Sequence, residues 1–137
     1  MKLVQSILTK NPCYKAGKKI AVKGLMLHSV GCSQPKASVF INSWNRASYS
    51  RACVHAFIDG NDGTVYQTLP WNHRGWHAGG SANNTHIGVE MCEPACIRYT
   101  SGSGFPLLTS QLVVMASMQP VRLRASRKAS SRSLELL

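Results

Sequence analysis

Two ionisable side chains lie inside apolar stretches of the sequence, where burial is costly unless the group is used. His28 follows the apolar run at residues 25–27, and Glu90 lies between Val89 and Met91. An imidazole in such a stretch is either a core histidine hydrogen-bonded to backbone, or a metal ligand or general base. A buried carboxylate is either paired with a lysine or arginine, or is a general acid or base with a raised pKa.

A second group of aromatic and imidazole side chains crowds the irregular segment 70–86. Its members are Trp71, His73, Trp76, His77 and His86. Long loops inside compact domains are usually functional, so the cluster indicates a metal-binding or carbohydrate-binding surface, although loop packing of the indoles would give the same pattern. His55 alternates with apolar neighbours, and we expect it to reach the same cleft as His28 and Glu90.

The elements that must position these side chains are predicted from periodicity and turn residues. The predicted strands are 24–30, 53–59, 64–68 and 87–92, and a helix is predicted near 35–47. Asp62-Gly63 is a strong hairpin turn, so residues 53–68 should form a β-hairpin. Residues 1–20 should be mostly irregular, with one short helix. The order of elements predicts an α/β fold with a mixed central sheet and flanking helices.

Composition limits what kind of protein this is. The chain has 137 residues, enough for one domain, and 44% of them are hydrophobic. No run of 18 apolar residues occurs, which argues against a membrane span. The net charge of +11 comes from five acidic residues against sixteen Lys and Arg. Because the excess reflects scarce acids rather than runs of lysine, a nucleic-acid-binding domain has little beyond charge to support it.

The cysteines do not form a disulfide framework on sequence grounds. Their number is five, which is odd, and no CxxC pair occurs. Without an apparent export signal, we expect mostly reduced thiols that fill small apolar sites. A zinc knuckle from Cys92 and Cys96 is the alternative, but Pro94 lies between them and no second pair exists.

The composition changes abruptly at Phe105. All glycines, aromatics, histidines and cysteines lie in residues 1–105, whereas residues 106–137 contain seven Leu, six Ser and four Arg. Three interpretations compete: a basic helix with a disordered end, an anchor for a membrane surface or an anionic polymer, and translation in the wrong reading frame.

Four sequence blocks give the chain a family resemblance. They are the opening NPCYKAGKKIAVKG, then GLMLHSVGCSQP, then VHAFIDGNDGTVYQTLPWNHRGWHAGG, and SANNTHIGVEMCEP. In this order and spacing they resemble the zinc-dependent N-acetylmuramoyl-L-alanine amidases of the amidase type 2 family, especially the prophage-type lytic amidases of Gram-positive bacteria. The resemblance covers about residues 5–105.

The resemblance implies a cofactor, a substrate and roles for individual residues. Zinc would be held by His28 together with a second histidine and an Asp or Cys from the last third of the family's domain. Glu90 would assist the zinc-bound water, and the substrate would be peptidoglycan. The implied substrate-binding residues are Trp71, Trp76, His77 and Asn84. Val54 stands where some members have a tyrosine near the zinc, so that role has no carrier here.

The same resemblance predicts a defect in the chain. No His, Asp or Cys follows Cys96, so the remaining zinc ligands are missing. We therefore expect a partial catalytic domain at 1–105, an aberrant tail at 106–137, weak zinc binding and little hydrolysis, with a non-catalytic peptidoglycan-binding module as the alternative. The family's phage-lysis logic predicts a cytoplasmic protein until lysis that then acts at the cell wall, where anionic wall polymers would attract its positive charge.

Overall fold

The computed structural model describes residues 1–99 as a single mixed sheet with two short α-helices. The elements are β1 (Leu3–Gln5), α1 (Pro12–Ala16), β2 (Gly24–Ser29), α2 (Ala37–Trp44), β3 (Ala56–Ile58), β4 (Val65–Gln67), a 3-10 turn (Ala82–Asn84) and β5 (His86–Met91). The strand order is β1-β4-β3-β5-β2. The expected α/β class with a mixed central sheet is confirmed, whereas the predicted tail lies outside the described residues.

The predicted hairpin and strands are present. β2, β3 and β4 are shorter than predicted, whereas β5 has the predicted length and begins one residue earlier. β3 and β4 pair antiparallel in the register Ile58↔Val65, around the turn that contains Asp62-Gly63. The Asp62 carboxylate accepts a hydrogen bond from the backbone N–H of Thr64, 2.8 Å away. β5 pairs parallel with both β3 and β2, so it occupies an interior position in the sheet.

The prediction for the first twenty residues was incomplete. The short helix is α1, but the segment also contains β1, which pairs parallel with β4 in the register Val4↔Tyr66. A three-residue strand has little periodicity of its own, and this one is stabilised by a partner that lies about sixty residues away along the chain. Local sequence signals therefore could not reveal it.

The helix predicted near 35–47 is shorter, because its first turn is capped from another element. α2 begins at Ala37, whose backbone N–H donates to the Asp59 carboxylate at 2.9 Å. Lys36 at the N-cap position makes no side-chain cap. A carboxylate at this end satisfies an unpaired donor and interacts favourably with the helix dipole. Pro35 stays outside the helix, and its carbonyl accepts a hydrogen bond from Gly60.

The core beneath α2 is built around Phe57 of β3, which is fully buried. Its ring stacks on Phe40 with centroids 5.4 Å apart and meets Trp44 edge-on at 5.0 Å. Both partners belong to α2, so the helix packs on the same side of the sheet as Phe57. α2 is therefore one of the expected flanking helices.

The opposite face of the sheet is apolar and partly open at β2. Leu25 and Leu27 point to that face and are 45% and 48% exposed, respectively. β2 also forms one edge of the sheet that residues 1–99 build. Within this described part of the chain, no helix has the length and apolarity needed to cross a membrane.

Candidate functional site

The sheet register brings the two ionisable groups from the apolar strands side by side. Glu90 of β5 is the register partner of Phe57 on one neighbouring strand and of His28 on the other. Register partners lie on the same side of a sheet, about 4.8 Å apart. The three residues therefore form one row across β3, β5 and β2. We call the side of the sheet that carries this row the site face.

Burial favours the protonated form of the Glu90 side chain. Desolvation, followed by the negative charge of Glu93, raises the pKa of Glu90 to about 7. Its Oε2 atom is buried and has no hydrogen-bond partner within residues 1–99. Among residues 1–99, this oxygen atom is therefore not paired with a lysine or arginine. A carboxyl group with a pKa near neutrality can both accept and donate a proton.

Glu93, which no sequence pattern marks as a candidate, has a different environment. It is almost completely buried, and its carboxylate accepts hydrogen bonds from Ser29, Tyr99 and the backbone N–H of Gly31, the last at 3.0 Å. Its two oxygens are thus used to join the end of β2 to the segment after β5. Glu93 is therefore used in structural hydrogen bonds, whereas the Oε2 atom of Glu90 has no such partner within residues 1–99.

A chain of hydrogen bonds determines the tautomers of the two histidines at the site. The carbonyl of His86 can only accept, so the His77 Nε2 atom 3.1 Å away carries a hydrogen. His77 Nδ1 is therefore an acceptor, and His28 Nε2, at 3.1 Å, donates to it. This leaves the Nδ1 lone pair of His28 unprotonated and available. Burial lowers the pKa of both rings, that of His77 to about 4, so both are neutral near pH 7.

His77 is positioned by residues that the sequence did not single out. The Asn83 side-chain oxygen accepts hydrogen bonds from the backbone N–H groups of His77 and Ala78, both at 2.9 Å. Asn83 is buried, whereas its neighbour Asn84 is exposed. Nothing in the pair Asn83-Asn84 distinguishes the two at the sequence level, since only the folded loop determines which one points inwards.

Gly88 provides the space that the His77 ring occupies. A Cβ atom at Gly88 would lie 2.4–2.7 Å from three atoms of that ring, far inside contact distance. We expect Gly88→Ala to lower the free energy of unfolding by about 1–3 kcal/mol, since the ring must be displaced from its contact with His28. Urea titration followed by fluorescence measures this cost.

A double-mutant cycle provides the control for Gly88→Ala. In a His77→Ala background the methyl group has no ring to displace, so the same substitution should then cost much less. An equal cost in both backgrounds would show that the His77 ring does not set the requirement for glycine.

His55 reaches the same region but is not available as a metal ligand. Its Nδ1 accepts from the backbone N–H of Gly88 at 3.0 Å, and its Nε2 donates to the carbonyl of His73 at 2.8 Å. The ring is fully buried, and desolvation lowers its pKa. Both nitrogens are therefore used in supporting the sheet beneath His77, whose ring centroid lies 5.9 Å away.

The remaining expected substrate-binding residues are spread along the loop. Trp71 is 37% exposed. Trp76 is half-buried against a core cluster, and its backbone pairs with Cys53. Asn84 accepts a hydrogen bond from Arg74 Nε at 2.6 Å. Of these four expected substrate-binding residues, His77 contacts His28 of the row. The substrate-binding roles of all four stay predictions.

The described residues do not by themselves make a zinc site. Zinc in enzymes is held by about three protein ligands with N, S or O donors. His28 offers one free nitrogen, but within residues 1–99 no three His, Cys, Asp or Glu side chains lie close enough together to hold an ion. The site therefore consists of one imidazole with a free nitrogen atom beside one carboxyl group with an unpartnered oxygen atom.

A neutral histidine next to a carboxyl group of raised pKa is a candidate functional site. The family model described as N-acetylmuramoyl-L-alanine amidase (Amidase_2) matches residues 18–124. The chain therefore belongs to this amidase family. The matched range includes residues 106–124, so it does not support the predicted boundary at residue 105, which stays a prediction.

Two curated relatives from Bacillus subtilis (strain 168) match short parts of the chain. The N-acetylmuramoyl-L-alanine amidase XlyA is 53% identical over 44 residues, which is 30% of this chain and 14% of XlyA. The N-acetylmuramoyl-L-alanine amidase CwlH is 46% identical over 45 residues, which is 30% of this chain and 17% of CwlH. The matching segments thus span less than a fifth of each relative.

Solved structures agree with the fold. The catalytic domain of XlyA aligns with a TM-score of 0.58 and 26% identity, over 70% of this chain and 64% of that one. A mutant endolysin from Bacillus subtilis aligns with a TM-score of 0.57 and 28% identity, over 69% of this chain and 64% of that one. The mixed sheet of residues 1–99 is therefore the fold of amidase catalytic domains.

Proposed function

We propose that the site face binds peptidoglycan and that its chemistry is hydrolysis of the amide bond between N-acetylmuramic acid and L-alanine. The observation that carries this proposal is the row formed by Glu90 and His28, with one unpartnered carboxyl oxygen and one free imidazole nitrogen. Membership in the amidase family and the two amidase relatives support it.

In this proposal Glu90 is the group that moves protons. Its pKa of about 7 allows it to take a proton from the attacking water and to return it to the leaving amine of the alanine residue. His28 would be one ligand of the zinc ion that the family resemblance implies. His77 keeps His28 in the tautomer with a free Nδ1 and is thus a positioning residue.

The second candidate is a peptidoglycan-binding module that does not hydrolyse its ligand. The observation that favours it is the missing cluster of three ligands in the described part of the chain. A wall digest separates the two candidates: new N-terminal alanine in solution indicates an amidase, whereas retention on the wall without release indicates a binder.

Zinc content provides a direct test of the incomplete ligand set. We expect the purified 137-residue chain, loaded with zinc and then gel-filtered, to retain much less than one zinc per chain, because a single imidazole cannot hold the ion against buffer and water. Metal analysis measures this content, with His28→Ala as the control. Stoichiometric zinc together with release of N-terminal alanine would overturn the expectation.

A separate proposal concerns the part of the gene that encodes the tail. We propose that residues after about 105 arise from a changed reading frame, which the shift in composition supports. Translating the other two frames downstream of the Phe105 codon tests this. A continuation that contains His together with Asp or Cys is the expected result, and its absence from both frames would contradict the proposal.

A further inference from the structure

Two buried cysteines that are far apart in sequence lie in one small core cluster. Cys13 is 2% exposed and Cys53 is fully buried, and both pack with Leu8 and Leu69. Cys32 and Cys96 are exposed, and the buried Cys92 packs in a different core cluster, with Ala37, Val54 and Phe57. The proposed function gives no role to Cys13 or Cys53.

The backbones that carry the two cysteines are held together by one side chain. The Asn11 side-chain oxygen accepts from the backbone N–H of Cys13 at 2.8 Å, and its amide nitrogen donates to the carbonyl of Ala52 at 3.2 Å. Asn11 is fully buried. This bridge places the first turn of α1 against the residue directly before Cys53.

A third segment, residues 74–76, contacts both cysteines. The Cys13 thiol donates to the carbonyl of Arg74 at 3.2 Å. Two residues further on, Trp76 exchanges two backbone hydrogen bonds with Cys53, at 2.8 and 3.0 Å. The Cys13 and Cys53 side chains thus pack in one buried cluster, and the nearby Cys53 side chain lowers the pKa of Cys13.

We propose that Cys13 and Cys53 form an intramolecular disulfide when the protein meets a small oxidant such as hydrogen peroxide. The Cys13 thiolate attacks one peroxide oxygen, the O–O bond breaks, and a sulfenic acid and hydroxide form. The Cys53 sulfur then attacks the Cys13 sulfur, the S–O bond breaks, and the thiol proton leaves with the hydroxyl as water. Overall, two thiols and one peroxide give one disulfide and two waters.

The bond would close the chain from residue 13 to residue 53. It would tie α1 to the segment that leads into β3 and so restrict the unfolded chain. Because the exposed Cys32 and Cys96 are not in this cluster, they provide matched controls for reactivity with the same oxidant.

Peptide mapping of the folded 137-residue chain tests the proposal without any variant. After treatment with hydrogen peroxide, alkylation in denaturant and trypsin digestion, the peptides 11–15 and 52–74 should be recovered linked, two hydrogens lighter than their sum. The yield should fall if the chain is oxidised in denaturant. Recovery of both peptides alkylated, with Cys32 and Cys96 oxidised instead, would overturn the proposal.

A stability measurement provides a second readout. In a Cys32→Ser/Cys96→Ser background, which removes the exposed thiols, oxidation should raise Tm by roughly 10 °C. Adding Cys13→Ser should abolish the rise, and adding a reductant should reverse it. An unchanged Tm despite a mapped linkage would show that the bond forms only at the expense of native packing and would contradict the geometry described above.

Discussion

Replacing Phe57 with alanine should lower the free energy of unfolding by about 3–5 kcal/mol, the cost of removing a large aromatic ring from a closed core. The ring is fully buried between Phe40 and Trp44 of α2. A loss of this size is a large share of the stability of a small domain. Urea titration followed by tryptophan fluorescence measures it.

The matched control for Phe57→Ala lies on the helix that covers Phe57. Val39 of α2 is 43% exposed, so Val39→Ala should cost no more than about 0.5 kcal/mol. A similar cost for the two substitutions would contradict the packing of α2 over Phe57.

Glu90→Gln should stabilise the metal-free protein at pH 8 but not at pH 4.5. Burial raises the pKa of Glu90 to about 7. For a group with a raised pKa, the stabilising contribution is present below the unfolded pKa near 4.5 and is lost as the pH rises through 7. Glutamine cannot ionise, so the variant escapes this loss. After discounting for partial exposure, the expected gain at pH 8 is about 1–3 kcal/mol.

Comparing the variant with the wild type at each pH isolates Glu90 from the histidines. His28, His55 and His77 have lowered pKa values, so their ionisation destabilises the fold as the pH falls, in both proteins alike. Asp62→Asn is the control carboxylate: its pKa is lowered below the tested range, so its effect should be constant from pH 4.5 to 8. A pH-independent difference for Glu90→Gln as well would show that Glu90 ionises normally.

The local part of the fold could be predicted from sequence, and the long-range part could not. The hairpin followed from Asp62-Gly63 between two apolar runs, because the turn and both strands are neighbours in the chain. β1 and the capping of α2 by Asp59 depend on partners from distant segments. These contacts form only when the sheet assembles, so no local sequence pattern predicts them.

The candidate site shows the same division. His28 and Glu90 were conspicuous as ionisable groups in apolar strands, and the register then placed them side by side. The orientation of His28 could not be predicted, because it depends on His77, on the carbonyl of His86 and on the space at Gly88. These contacts join a strand, a loop and a second strand.

Retention on purified peptidoglycan is the measurement that most directly tests the central claim that the site face binds this polymer. The 137-residue chain is sedimented at moderate salt with Gram-positive walls stripped of anionic polymers, so that charge alone does not retain it. The matched variants are His28→Ala on the site face and Leu27→Ala, the adjacent residue on the opposite face. We predict that the chain is retained, that His28→Ala weakens retention several-fold, and that Leu27→Ala does not. No retention, or equal losses in the two variants, would contradict the account.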